Sequence, residues 1–349
     1  MNRIKEITAA DETARIRANE RWNSVAKPIG SLGLLENAVE KIAAIMGCEN
    51  VDIGKRAVVV MCADNGVVCE GVTQSDSSIT AICAKAIAEG TSNINRMAQS
   101  FGAEVFAVDI GINRDVECER LLKRKTAYGT ENIAAGPAMS ISQAEQAIIV
   151  GMDLVRDLKN SGLRIIVTGE MGIGNTTTAS ALSAVLLDLP PVSVTGKGAG
   201  LSSAALKRKI EVVEQAIVVN KPDKSKPIEL LAKLGGYDIA GMTGLFLGGA
   251  FYHIPVVIDG VISGAAAVIA SLINPLAVQY MLPSHVSGEP AGKLLLEKIG
   301  LKPLITAEMR LGEGTGGVLL LSLLDGALSV YNHAHRFDEL PMERYVELK

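Results

Sequence analysis

Short β-branched runs alternate with longer helical patterns through the middle of the chain, and an acid stands just beyond each run. Together these predict an α/β protein: a Rossmann-like parallel sheet with helices on both faces. The strand candidates are Ala57–Cys62, Glu104–Val108, Arg164–Thr168 and Pro255–Ile258, followed by Asp64, Asp109, Glu170 and Asp259. Ligands of open parallel sheets bind outside the carboxyl ends of the strands, so these acids are site candidates as a group, although Asp64 and Asp109 suit helix capping equally well. Ahead of the first strand, residues 11–26 and 34–46 read as helices separated by a turn at Pro28, Gly30 and Gly33; residues 318–330 read as another. The terminal helices are expected to meet in a small helical subdomain of residues 1–50 and 306–349, beside an α/β core of residues 51–305. In residues 206–217, Leu206, Ile210, Val213 and Ile217 form the expected core stripe; Lys209 lies beside it, placed either to lean into a cleft or to reach solvent.

Composition narrows the function. Across 349 residues, 48% hydrophobic and 21% charged content is that of a globular chain with a substantial core. A formal net charge of −4 with 3% aromatics argues against nucleic-acid binding, which favours a basic face with stacking rings. The first residues lack the apolar run of a signal peptide, and the most apolar stretch, residues 261–273, is too short to span a bilayer and reads as a buried helix. A cytoplasmic protein without membrane contact is expected. The five cysteines form no C-x-x-C pair and read as reduced thiols buried in packing. His333 and His335 have no cysteine or carboxylate at ligand spacing, so no metal site is expected.

Two glutamates stand in glycine-dense turns that run into apolar helices: Gly169-Glu170-Met171-Gly172-Ile173-Gly174-Asn175-Thr176-Thr177 and Gly312-Glu313-Gly314-Thr315-Gly316-Gly317. Glycines admit a close ligand, and a helix start attracts a phosphate. A carboxylate there would repel that phosphate, so each glutamate points to a second task, such as taking a proton or steadying positive charge on a sugar. Gly169 and Gly174 have P-loop spacing, but Asn175 replaces the lysine that a triphosphate needs. Gly172 and Gly174 begin a dinucleotide fingerprint that Thr177 breaks, which disfavours a dehydrogenase. Simple tight turns would explain either loop alone; two with glutamates suit them less well.

The chain resembles the nicotinate-nucleotide:dimethylbenzimidazole phosphoribosyltransferases nearly end to end. The match runs through Lys27-Pro28-Ile29-Gly30-Ser31-Leu32-Gly33, Thr130-Glu131-Asn132, Gly136-Pro137-Ala138-Met139 and the Gly169–Thr177 loop. It continues through Pro255–Gly260, Ser284–Pro290 and Met309–Gly316. The resemblance implies transfer of ribose 5-phosphate from nicotinate mononucleotide to an aromatic acceptor, with inversion to an α-ribotide for cobamide assembly. It implies Glu313 as general base and puts Glu170 in the nucleotide and phosphate site; the chemistry, which needs one carboxylate to take a proton and one to steady the sugar cation, makes Glu170 the second catalytic carboxylate. Substrate binding falls to Gly172, Gly174, Asn175, Thr176, Lys209, Ser287, Leu311 and Gly314. It also implies a homodimer or a heterodimer with a paralogue. The leaving group is a stable pyridine with no pyrophosphate to neutralise, so no cofactor or divalent metal is required.

Three strings depart from the family pattern. Ala63-Asp64-Asn65-Gly66 has asparagine where the family tends to carry histidine; Asp76-Ser77 stands near the place of a Pro-Gln pair; and Glu289-Pro290-Ala291-Gly292 lacks a second histidine. Asp76 and Ser77 would suit a hydroxyl better than a ring nitrogen, which suggests a phenolic acceptor alongside or instead of benzimidazole. The alternative is a weakly active or non-catalytic subunit paired with a paralogue, against which stands the retention of both Glu170 and Glu313.

Overall fold

A computed structural model of the chain describes residues 1–345, so the last four residues of the expected C-terminal segment lie outside the described residues. Six parallel strands form the central sheet in the order β3-β2-β1-β4-β5-β6. They are β1 (Arg56–Ala63), β2 (Ala103–Gly111), β3 (Leu122–Lys123), β4 (Ile165–Met171), β5 (Val256–Ile258) and β6 (Met281–Pro283). A two-stranded parallel pair, β7 (His285–Val286) with β8 (Ile305–Thr306), lies beyond β6. The strand order reverses between β1 and β4, and a cleft opens beside this point at the carboxyl ends of β4 and β5.

The alternation of side chains along β1 divides the core in two. Ala57, Val59 and Met61 join one apolar cluster with the helices Ile141–Asn160, Asn175–Leu187, Tyr237–Tyr252 and Val261–Ile273. Val58, Val60 and Cys62 join the other, with Glu12–Ser24, Leu34–Met46, Ser78–Glu89 and Thr315–His333. Because successive strand residues point to opposite faces, both sheet faces need a helical layer. The terminal helices pack together on the second face, where the Trp22 and Tyr331 ring centroids lie 4.8 Å apart. Asp11 starts the first of these helices, its carboxylate accepting from the N–H groups of Thr13 and Ala14 at 2.8 and 3.1 Å.

Three details differ from expectation. The buried stripe of helix Ser203–Asn220 is Lys209, Val212, Val213, Ala216 and Asn220; Leu206, Ile210 and Ile217 are only half-buried. The true stripe is therefore rotated toward Lys209. Only Cys62 of the five cysteines is buried, and Cys69 is exposed, so burial does not account for them all. The third is helix Tyr237–Tyr252, whose glycines disfavour a helix by propensity. Here Gly244 lies against Gly151 of helix Ile141–Asn160, and a Cβ added to Gly244 would meet the Ile148 carbonyl and come within 3.0 Å of the Gly151 backbone. Gly244→Ala is expected to destabilise the fold by overpacking, on the order of 1–3 kcal/mol, read as a lowered urea midpoint at unchanged slope. No helix among the described residues is long and apolar enough to cross a membrane.

Candidate active site

Glu170 belongs to the end of β4 and not to the turn after it, a correction to the sequence reading: the β-ladder between β1 and β4 pairs Met61 with Glu170. The turn proper is Gly172–Gly174, and Asn175 opens the following helix. Gly172 has no room for a side chain, since a Cβ would strike the Ala63 carbonyl and sit 2.8 Å from Asp238 Oδ2. This glycine turn follows β4, whereas a dinucleotide fingerprint follows the first strand, so it sits on the other side of the switch point.

The second glutamate loop comes from the far end of the chain. Gly312, Glu313 and Gly314 have φ values of 82°, 60° and 94°, three successive left-handed residues in front of helix Thr315–His333. Glycine takes this conformation freely; glutamate does so at a cost of roughly 1–2 kcal/mol. Carboxylates across the cleft hold the turn. Asp259, at the end of β5, accepts from the N–H groups of Gly314 and Gly317 at 3.2 and 3.0 Å, and Glu170 Oε1 accepts from the Glu313 N–H at 3.4 Å. Gly169 lets the loop approach β4, because a Cβ there would lie 2.5 Å from the Glu313 carbonyl oxygen.

Glu170 and Glu313 thus face one cleft, which Gly172, Asn175, Thr176, Ser287 and Leu311 also line, together with Asp259, His285 and Glu289. Glu170 is buried, and its carboxyl is pushed well above the usual range by desolvation and by the neighbouring Asp238; the Asn175 amide hydrogen bond opposes this. Glu313 is half-buried, with Oε2 accepting from the Ile94 N–H at 3.3 Å. Desolvation raises its pKa as well, and Asp259 adds to the shift.

An adjoining cavity shares the Gly172–Thr176 turn and is lined further by Gln74, Lys197, Ala199 and Lys209. Lys209 is 1% exposed, which settles its direction in favour of the cleft. Its ammonium donates to Thr176 Oγ1 at 2.8 Å and to the Gly196 carbonyl at 3.1 Å, and burial brings its pKa down to about 8. A buried cation, a hydroxyl and the N-terminus of helix Asn175–Leu187 converge there, a combination suited to an anionic group.

Other expected residues fall outside. Gly174 lines the adjoining cavity only, and Gly314 lines neither, since its N–H is held by Asp259. Asp76 is exposed and accepts from the Ser78 N–H at 2.7 Å, an interaction that also lowers its pKa; neither Asp76 nor Ser77 lines either cavity. Short polar residues at a helix start satisfy local N–H groups first. The three departures from the family pattern do not converge: Asn65 is buried behind Gly172 near Asp238, and Ala291 caps helix Gly292–Lys298. Asp64 and Asp109 bind the N–H groups of Asn113 and Ile112 at 2.8 and 3.0 Å, so they tie down the loop after β2 and neither line the cleft nor cap a helix. His333 and His335 are exposed at the end of their helix. Sequence reasoning missed Asp238, for which no motif gave a signal. It did flag Asp259 by its place at a strand end.

A doubly wound sheet with two glutamates lining one cleft at the carboxyl ends of β4 and β5, beside a glycine turn and a buried lysine, has the architecture of an α/β enzyme. The family model described as phosphoribosyltransferase matches residues 7–340. The nicotinate-nucleotide–dimethylbenzimidazole phosphoribosyltransferase of Acetivibrio thermocellus is 45% identical over 93% of this chain and 93% of its own length. The protein of that name from Ruminiclostridium cellulolyticum is 42% identical over 100% of this chain and 98% of its own length. A crystal structure of CobT from Thermus thermophilus superposes with a TM-score of 0.90 at 35% identity, covering 95% of this chain and 100% of that one. This chain belongs to the nicotinate-nucleotide–dimethylbenzimidazole phosphoribosyltransferase family.

Proposed function

We propose that the protein transfers ribose 5-phosphate from nicotinate mononucleotide to a benzimidazole-type base, giving an α-ribotide for cobamide assembly. The observation that carries this reading is that Glu170 and Glu313 line one cleft, joined by the Glu313 N–H that Glu170 accepts, with the cavity around Lys209 next to it. In the reaction the bond from C1′ to the pyridinium nitrogen breaks and its electron pair leaves with nicotinate. The acceptor nitrogen attacks C1′ from the opposite face, which inverts the configuration, and the acceptor's N–H proton passes to Glu313. Glu170, as carboxylate, steadies the positive charge that develops on the ribose. A raised pKa suits Glu313 to its role, because a base works best when its pKa lies near the working pH.

Lys209 and Thr176 are assigned to the phosphate, Asn175 and Gly172 to the turn that holds it, Ser287 to the nucleotide and Leu311 to the apolar wall. Lys209→Ala is expected to weaken nicotinate mononucleotide binding by roughly 1.5–3 kcal/mol, with a smaller effect on turnover at saturation; calorimetry and kcat measured together check this. In the parent protein, binding should weaken as pH rises through about 8, where the free lysine gives up its proton.

The case for a phenolic acceptor rests on Asp76 and Ser77 and on the loss of two family histidines at Asn65 and Ala291-Gly292; none of these positions lines either cavity, so a ring nitrogen is the better-supported acceptor. The test uses the purified protein alone with nicotinate mononucleotide and a panel of azole, purine and phenolic acceptors, read by mass spectrometry. An N-linked ribotide supports the reading. An O-linked product would restore the phenolic acceptor, and no ribotide from any acceptor would remove the proposal. Residues 1–50 and 306–349 are proposed to act as one helical unit over the core of residues 51–305, as the mutual packing of the terminal helices favours.

A further inference from the structure

We propose that Asp238 is a positioning residue for this reaction, acting on Glu170 through the Asn175 amide that the two carboxyl groups share. The inference rests on the transferase reading above. Asp238 is completely buried on helix Tyr237–Tyr252 and does not line the cleft, so it has no route to substrate. One amide nitrogen, Asn175 Nδ2, donates to Glu170 Oε2 and also to Asp238 Oδ2, the latter at 3.2 Å. An amide NH₂ has two hydrogens, so it can serve both acceptors at once and tie their positions together. The other Asp238 oxygen accepts from the Ile239 N–H at 2.9 Å, which fixes the carboxylate on a rigid helix. The absence of a Cβ at Gly172 leaves room for Asp238 behind the turn.

Among the described residues, no cation is paired with Glu170 or Asp238. The ionisable groups around Glu170 are Cys62 on β1, Asp238, Asp259 beyond β5 with His285 behind it, and Glu313 across the cleft. Of the cations that line the two cavities, Lys209 is held by Thr176 and Gly196, while Lys197 and Arg310 are exposed. Two buried carboxyls beside one neutral amide favour a state in which one keeps its proton. Asp238, which burial raises to about 6, also meets the Ile239 N–H and Asn65, so of the two it is the better furnished to ionise, and its charge then holds the proton on Glu170. A cationic pyridinium nucleotide entering the cleft would then favour release of that proton, giving the carboxylate that the developing sugar cation needs.

The two links have opposite signs. Asp238→Asn removes the like charge, so Glu170 should ionise at lower pH, and the acid limb of kcat/KM should move down by on the order of one pH unit. Asn175→Ala removes a donor that stabilises ionised Glu170, so that limb should move up. The second readout is the infrared band of un-ionised carboxyl groups across a pH titration, with Glu170→Gln identifying the Glu170 contribution. That contribution should persist at neutral pH in the parent, titrate lower in Asp238→Asn and titrate higher in Asn175→Ala. Acid limbs and carboxyl bands that stay in place while kcat falls would overturn the proposal and leave Asp238 a packing residue. If Asp238→Asn does not fold, Asn175→Ala decides alone by the sign of its shift. The infrared titration needs no turnover, so a protein that forms no ribotide would overturn the transferase reading while the coupling stayed measurable.

Discussion

Glu313→Gln is expected to lower kcat by about 10²–10⁴ while leaving the affinity for nicotinate mononucleotide and the fold close to those of the parent. The amide keeps the length and the volume of the side chain and can still meet the Ile94 N–H through its oxygen. Only the ability to take the acceptor's proton is lost. The left-handed backbone at Glu313 is already strained in the parent, so the substitution adds no new strain. In the parent, the half-buried carboxylate must be ionised to act, so kcat/KM should fall as pH drops through its raised pKa. That component of the acid limb should disappear in the mutant. Single-turnover kinetics with calorimetry on the same preparation check both halves of the expectation; unchanged turnover would remove Glu313 from the role.

Glu170→Gln should act on turnover and on stability in opposite directions. Loss of a fixed charge aimed at a developing positive centre costs on the order of 10²–10³ in kcat. The stability effect follows from linkage. Burial and Asp238 raise the folded-state pKa of Glu170 above its unfolded value, so between those two values the folded state binds more protons. Stability therefore declines as pH rises through that window, and at neutral pH the parent carries this penalty. An uncharged amide does not. The mutant is expected to melt at a higher temperature than the parent near pH 7, with a gain that shrinks toward pH 4. A melting temperature equal to or below the parent's at both pH values would show that the burial of Glu170 carries no such penalty.

The fold was legible where a residue pattern was long enough to repeat. The strands β1, β2, β4 and β5 and the helices at residues 12–24, 34–46 and 261–273 lie within a few residues of their expected bounds. β3 and the β7–β8 pair are two residues per strand, too short for any period to register; β6 is three, as is β5, but β5 has β-branched residues and a following acid to mark it whereas β6 is Met-Leu-Pro. Helix Tyr237–Tyr252 escaped notice for a different reason: its glycines, which lower propensity, are there for close contact with helix Ile141–Asn160, and that contact exists only in three dimensions. In the site, Glu170 and Glu313 were visible because glycines mark both loops, and Asp259 because it ends a strand. Asp238 was invisible. It enters the site from behind, through Asn175, and nothing in Gly236-Tyr237-Asp238-Ile239 separates such an acid from an ordinary residue in the first turn of a helix. Asp76 shows the converse error, since a polar residue at a helix start satisfies its own backbone before any ligand.

The central claim is that the two glutamates of the cleft carry out an inverting ribosyl transfer. Its most direct test is the anomeric configuration, by NMR, of the product that the purified protein forms from nicotinate mononucleotide and 5,6-dimethylbenzimidazole. The account predicts a single N-linked ribotide in the α configuration, formed by the parent and reduced at least about a hundredfold in Glu313→Gln. A β-linked ribotide, or free ribose 5-phosphate with no ribotide, would contradict it.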